Sequence, residues 1–272
     1  LAYLDHFHYQ FYGPPEGRKW VFLHGLMGFL NNWRTIIKAI ESTERVLVFD
    51  QRGHGRSFKP ENGYDPEDYA DDLKKILDEL GWDKIILVGH SMGGRNALNF
   101  ASRFPERVEK LIIEDIAPSG DPEGWHYYDN LLNAVPTPFK SRTEARLFFQ
   151  NELKNRVQDT GSIDVLSAFL YANMEDQKDG TVSWRFSPKA IVASAQQARA
   201  GDRWDEVKNL SMPTLWIRGE NSRDLCREDW QKVVSMNRVI EGVEIPEARH
   251  WVHSDQPLAF SNVIRQFVGG FP

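Results

Sequence analysis

The chain alternates short apolar runs with longer amphipathic stretches, and the two periods predict its elements. Phe7-His8-Tyr9-Gln10-Phe11-Tyr12 alternates aromatic and polar side chains and stops at Gly13-Pro14-Pro15, which predicts an edge strand closed by a turn. Trp20-Val21-Phe22-Leu23, Val46-Leu47-Val48-Phe49, Lys84-Ile85-Ile86-Leu87-Val88 and Leu111-Ile112-Ile113 are short apolar runs of the kind found in strands buried on both faces. Between them lie stretches of helical period: one from Asn32 to about Ser42, one from Asp65 to Leu80-Gly81, and one carrying Asn96-Ala97-Leu98-Asn99-Phe100-Ala101 that stops near Phe104-Pro105. The second is the best marked, with Asp65 as N-cap, Pro66 at the first helical position and acid in the first turn. Strands separated by helices, four times in succession, indicate crossovers and a mostly parallel sheet with helices on both faces.

From about Ser119 to Arg203 that rhythm is lost, and the segment becomes helical and aromatic, with Trp125, Tyr127, Tyr128, Phe148, Phe149, Phe169 and Trp184 among its rings. It reads as an insertion over the C-terminal edge of the sheet, where such folds keep their chemistry. The rhythm resumes at Pro213-Thr214-Leu215-Trp216-Ile217, with a helix through Asp229 to Val234, a strand near Val243-Glu244-Ile245 and a last helix from about Pro257 to Val268. The organisation expected is therefore a core from residues 1–118 and 204–272, with a helical cap, 119–203, inserted in it.

The candidate chemistry begins at Val88-Gly89-His90-Ser91-Met92-Gly93-Gly94-Arg95, which matches Gly-x-Ser-x-Gly at the junction of a strand and a helix. A serine pinched there needs a sharp, strained turn, and glycines two residues either side let strand and helix close on it. Its hydroxyl is expected to stand exposed above the sheet; the plainer alternative is a serine N-cap on an ordinary helix. Serine is a weak nucleophile unless a base takes its proton, so a histidine is required elsewhere. Of the eight histidines, His250 follows the last strand, where a loop can bring it over Ser91; His253 is the second choice. His24, His54 and His90 fit loop structure and pocket lining, while His8 and His126 lie on an edge strand and in the insertion. Two acids end loops at the catalytic edge, Asp115 and Asp224; Asp115, immediately at a strand end, is the more rigidly held, and Glu114 should point the opposite way. The backbone amides of Leu26 and Met92 can form the oxyanion hole, the latter at a helix N-terminus. Arg95, one helical turn beyond Ser91, could meet a substrate carboxylate or pair with Asp50 or Glu114; Trp251 joins it as a candidate substrate-binding side chain. The glycines of the Asp50 to Ser57 loop are expected to shape the turn.

Charge narrows the partners. With 33 Lys and Arg against 39 Asp and Glu the net charge is −6, which argues against nucleic acid and anionic membrane surfaces. No apolar run approaches the roughly 20 residues of a membrane span, and the first residues lack the pattern of a signal peptide. A single cysteine, Cys226, forms no internal disulfide and suits a cytoplasmic location. No His, Cys and Asp spacing suggests a metal site, and no cofactor is required. The expected partner is a small-molecule ester, with the protein a monomer or homodimer.

His24-Gly25, Asp50 to Ser57, Gly89 to Gly94 and Arg249-His250-Trp251 together resemble the α/β-hydrolase superfamily over nearly the full chain. Within it, Asp115-Ile116-Ala117-Pro118 and His250-Trp251-Val252-His253 look like the YbfF/ABHD11-type small esterases. In many relatives the triad acid follows the strand corresponding to Leu215-Trp216-Ile217 in a Gly-x-x-Asp pattern; here Gly219-Glu220-Asn221-Ser222 has serine in that position, which strengthens Asp115. His24-Gly25-Leu26-Met27-Gly28 with Arg95 also looks like the menaquinone-pathway hydrolase-like lyases, in which the arginine grips a carboxylate.

The expected function is hydrolysis of carboxylic esters, with thioesters as a further class, through an acyl-enzyme on Ser91, with His250 as base and Asp115 as orienting acid. The aromatic cap would favour modest-sized apolar groups. Three other outcomes fit the same residues: a triad-based lyase or C–C bond hydrolase acting on a carboxylate-bearing substrate, a cofactor-free haloperoxidase or perhydrolase, and a receptor-like ligand-binding module that has kept the triad.

Overall fold

The computed structural model describes residues 2–157 and 163–270; residues 1, 158–162 and 271–272 of the two expected units lie outside the described residues. In chain order the strands are β1 (Tyr9–Tyr12), β2 (Lys19–Leu23), β3 (Arg45–Phe49), β4 (Ile85–His90), β5 (Val108–Glu114), β6 (Met174–Asp176), β7 (Val182–Trp184), β8 (Thr214–Gly219) and β9 (Ile240–Ile245). The helices are α1 (Arg34–Lys38), α2 (Pro66–Leu80), α3 (Met92–Arg103), α4 (Trp125–Asn133), α5 (Arg142–Leu147), α6 (Ile163–Ala172), α7 (Pro188–Ala198), α8 (Trp204–Lys208), α9 (Arg227–Met236), α10 (Val252–Asp255) and α11 (Pro257–Val268).

Seven strands form one sheet in the order β1-β3-β2-β4-β5-β8-β9. β1 runs antiparallel to β3 at the edge, and the remaining pairs are parallel. The apolar runs are explained by burial on both faces. Alternate residues of β4 point to opposite sides: Ile85 and Leu87 pack with α2, α3 and α9, whereas Ile86 and Val88 pack with α1 and α11. β2 divides likewise, Val21 and Leu23 against Trp20 and Phe22. Each side chain so buried contributes roughly 1.5–3 kcal/mol, so β2 and β4 carry polar residues only at their ends, Lys19 and His90.

The helix signals hold where they are strongest. Asp65 accepts the Asp68 N–H at 3.1 Å, Pro66 opens α2, and Gly81 closes it in the left-handed region at φ 64°. The stretch from Asn32 departs from expectation. It starts as a 3-10 turn over Leu30–Trp33, continues as the short α1 and ends in turns. Three consecutive β-branched residues, Thr35, Ile36 and Ile37, weaken helix there, and the isoleucines are buried against the sheet. β5 and β9 each start three residues before the apolar run that marks them, because their first residues alternate buried and exposed.

Between β5 and β8 lie α4 to α8 and the two-stranded β6–β7 sheet. The apolar residues of the segment from α4 to α7 form a core of their own, including Leu131, Leu166, Leu170 and Ile191 of the helices, Phe148 and Phe149 just after α5, and Trp184 of β7. Leu26, Met27 and Met92 belong to it as well, so this layer sits directly on the loops that leave β2 and β4.

Candidate active site

Ser91 lies between β4 and α3 with φ 53° and ψ −120°, a left-handed backbone that a residue with a side chain adopts only under constraint. The neighbouring glycines supply the constraint. A Cβ on Gly89 would lie 2.2 Å from the Gly93 carbonyl oxygen, and one on Gly93 would lie 2.3 Å from that of Leu23. Contrary to the expectation of an exposed hydroxyl, Ser91 is only 9% exposed. The reason is the layer above it: Ser194, Ala195, Ala198 and Arg199 of α7 and the residue after it enclose a small cavity with Ser91.

Asp115 follows β5, also in the left-handed region, with φ 54°. Its buried carboxylate accepts three hydrogen bonds: from the Gly219 N–H at 3.0 Å, the Ser222 hydroxyl at 2.5 Å and His250 Nδ1 at 2.8 Å. With Nδ1 committed to Asp115, Nε2 of a neutral His250 is the lone-pair nitrogen. Burial works against a charge on this imidazole, but Asp224, Asp115 and Glu114 outweigh it and raise its pKa to about 9. Asp224 lies 3.5 Å from the same Nδ1. The two acids considered from sequence therefore both reach His250, Asp115 by the hydrogen bond and Asp224 by charge.

Glu114 points the opposite way, as strand alternation requires. It accepts from both the backbone N–H and Nδ1 of His253 at 2.9 Å, so the His253 ring is committed to Glu114. Adjacent carboxylates thus pin both histidines of one loop. His90 completes the support: its Nε2 lies 2.9 Å from the His250 carbonyl, which can only accept, so Nε2 carries the proton. Burial keeps His90 neutral, holding its pKa well below the usual value.

The turn carrying Leu26 is fixed from the Asp50 to Ser57 loop. The Gln51 N–H donates to His24 Nε2 at 2.9 Å, the Gln51 side chain donates to the His24 carbonyl at 2.7 Å, and His24 Nδ1 faces the Gly25 carbonyl at 2.8 Å. A Cβ on Gly25 would lie 3.3 Å from Ser91 Cβ, so this turn passes directly beside Ser91. In the supporting loop, Gly53 and Gly55 have positive φ, and a Cβ on Gly55 would collide with the Asp50 carboxylate. Asp50 itself accepts from the Leu30 and Arg56 N–H groups and Glu114 from His253, while the Arg95 guanidinium donates to the Ser119 carbonyl.

Ser91, His250, Leu26 and Trp251 line one cavity of about 830 Å³, walled by Met27, Leu131, Leu166 and Phe169 with Tyr128 and Asp224 at its polar side. Leu26, Ser91, Met92 and Arg95 also line the small cavity under α7. Arg95 is 6% exposed; its Nη2 donates to the Ser119 carbonyl at 3.2 Å, and its Nη1 has no hydrogen-bond partner among the described residues. Burial, with Arg199 and Arg203 nearby, pulls its pKa down to about 9, which leaves it charged at neutral pH. Arg199 donates to the Tyr128 hydroxyl at 3.2 Å. Neither Ser222 nor Arg199 was singled out for a role by sequence. The serine in an acid's place was the signal for the first; the second lies between β5 and β8, where no motif marks it.

Two groups, His90 with Glu114 and His253, and Asp115 with Asp224 and His250, bring potential metal-donor atoms within 4.8 Å. In each, a histidine Nδ1 already faces a carboxylate as a hydrogen-bonded pair, so these groups satisfy one another without an ion. Among the described residues no helix is long and apolar enough to cross a membrane.

Residues 21–257 match the model of the alpha/beta hydrolase fold family. The chain is 31% identical over 264 residues to an sn-1-specific diacylglycerol lipase ABHD11 of Danio rerio, covering 95% of this chain and 80% of the relative. It is 29% identical to a putative esterase/lipase of Haemophilus influenzae, covering 91% and 82% of the two chains. Among solved structures, an E-2-(acetamidomethylene)succinate hydrolase superposes with a TM-score of 0.83 at 25% identity, covering 97% and 95%. The match across the sheet, the elbow and the histidine loop assigns the chain to the α/β-hydrolase family, as a hydrolase similar to the ABHD11-type enzymes.

Proposed function

We propose that the protein is a serine carboxylesterase. The observation that carries this reading is the strained Ser91 sharing one cavity with His250, whose Nδ1 is bonded to a buried carboxylate at 2.8 Å. His250 Nε2 takes the proton as Ser91 Oγ attacks the ester carbonyl. The amides of Leu26 and Met92 receive the oxyanion, each such donor being worth roughly 3–4 kcal/mol in the transition state. His250 returns the proton to the leaving alcohol, and a water activated by the same imidazole then releases the acid from Ser91. The cap, residues 119–203, supplies the apolar wall of the cavity, and Trp251 with Phe169, whose rings stand 5.4 Å apart, packs against the acyl or alcohol part. Thioesters present the same carbonyl and are a further substrate class.

A second reading is favoured by Arg95. A buried guanidinium with an unpartnered Nη1 beside the nucleophile suits a substrate carrying a carboxylate near its reacting carbonyl. One structural relative is named for a succinate derivative, which agrees with that chemistry.

A fluorophosphonate probe followed by mass spectrometry tests the nucleophile. Labelling of Ser91, with ester turnover abolished in Ser91→Ala, is the result expected; labelling elsewhere overturns the assignment. Mono-p-nitrophenyl succinate run beside p-nitrophenyl butyrate separates the two substrate readings.

A further inference from the structure

The triad imidazole has two carboxylates on one nitrogen. Asp115 Oδ2 stands 2.8 Å from His250 Nδ1 and Asp224 Oδ2 stands 3.5 Å from it. The two acids differ in setting. Asp115 is buried beneath the sheet edge and saturated with donors, whereas the Asp224 side chain is 43% exposed and lines the substrate cavity. Ser222 links them, since its hydroxyl donates to Asp115 and accepts from the backbone N–H of Asp224 at 3.2 Å. At 3.5 Å the Asp224 contact is too long for a good hydrogen bond, so it acts through charge.

The other groups around His250 leave that role to Asp224. From β4, the His90 ring lies 4.7 Å away and is kept neutral by burial. From the end of β5, Glu114 is turned toward His253. Arg249, the preceding residue, pairs with Asp255. Arg223 lines the cavity, and Arg199 from the cap feels the Asp224 charge. Among these only Asp224 offers a negative charge to the imidazole from the solvent side.

We propose that Asp224 is a second carboxylate of the catalytic histidine, a positioning residue that stabilises the imidazolium from the cleft while Asp115 fixes its orientation from within. The proposal rests on the reading of His250 as the base. Its consequence is a compromise. A charge that stabilises the imidazolium lowers the barrier once the proton has moved from Ser91, but it also holds His250 protonated, and so inactive as a base, to higher pH. Because the contact is open to solvent, salt weakens it.

The charge state of His250 can be read without turnover, by NMR titration of its ring protons, assigned by their loss in His250→Gln. In Asp224→Asn the His250 titration should move to lower pH by about one unit, the low end for loss of an opposite charge within ~4–6 Å. The acid limb of kcat/KM for an uncharged short-chain ester should move with it, and raising salt should lower the wild-type midpoint more than that of Asp224→Asn. Asp224→Glu should restore the wild-type titration. An unmoved His250 titration in Asp224→Asn overturns the proposal whatever the turnover. Ester hydrolysis surviving in Ser91→Ala would instead overturn the esterase reading, with the titration still reporting on Asp224.

Discussion

Ser222 donates its hydroxyl to the Asp115 carboxylate at 2.5 Å from the third position after Gly219. Removing that donor leaves a buried carboxylate with two hydrogen bonds instead of three. Ser222→Ala should therefore lower kcat for p-nitrophenyl butyrate by about 10- to 100-fold, the equivalent of roughly 1.5–3 kcal/mol for a bond to a charged group. Ser222→Asp should do worse below neutral pH, since two carboxylates sharing one site cannot both ionise readily. Undiminished kcat in Ser222→Ala would show that the remaining donors suffice.

Asp115→Asn keeps the size of the side chain and removes its charge. On the proposed reading of Asp115 as the orienting acid, the substitution should reduce kcat by about 10⁴-fold, with KM changed little. Stopped assays with the same ester measure it. A loss under tenfold would transfer the orienting role to Asp224.

The difference between these two acids marks the limit of what sequence conveys. The elbow was legible because the apolar period changes from two to 3.6 at Ser91 and glycines stand where a Cβ would meet backbone at 2.2 and 2.3 Å. Asp115 was legible because a residue ending a strand has a fixed direction, and Glu114 duly turns away. Asp224 sits in a loop whose path depends on the Ser222 hydrogen bonds, so neither its 3.5 Å approach to His250 nor the part of Ser222 follows from spacing. Arg199 meets Tyr128 only because α4 and α7 pack together, a tertiary fact that periodicity does not contain.

On the proposed carboxylate-binding reading, Arg95 combines a cost to stability with a use in binding. Burying a guanidinium without full hydrogen bonding is unfavourable, so Arg95→Met should raise the melting temperature while lowering kcat/KM for mono-p-nitrophenyl succinate about 10-fold or more relative to p-nitrophenyl butyrate. Calorimetry and the two esters measure the two effects. Equal loss on both esters would assign Arg95 a structural role.

The Glu114 and His253 pair anchors the loop that carries His250. Both residues are almost wholly buried and joined at 2.9 Å, so Glu114→Ala should cost about 1–3 kcal/mol in urea unfolding, the usual result of leaving buried donors unsatisfied. Glu114→Gln keeps an acceptor for the His253 N–H and should cost less. If both variants unfold at the wild-type midpoint, the pair does not hold the loop.

Stability should peak near neutral pH, for reasons of opposite sign. His250 has a folded pKa raised to about 9 from an ordinary 6.5, so its contribution is complete below pH 6.5 and is lost as pH rises through 9. His24 and His54 are buried and lowered to about 4 and about 3, His24 by burial alone and His54 by burial with the nearby His24. In acid the unfolded chain binds protons that these two cannot, so stability falls as pH drops below 6.5. The melting temperature should therefore decline on both sides, the alkaline decline shrinking in His250→Gln and the acid decline in His54→Gln. His54 Nε2 has no partner among the described residues, so the second substitution tests titration without removing a hydrogen bond to that nitrogen. An acid slope equal in wild type and His54→Gln would mean that carboxylates alone set the acid limit.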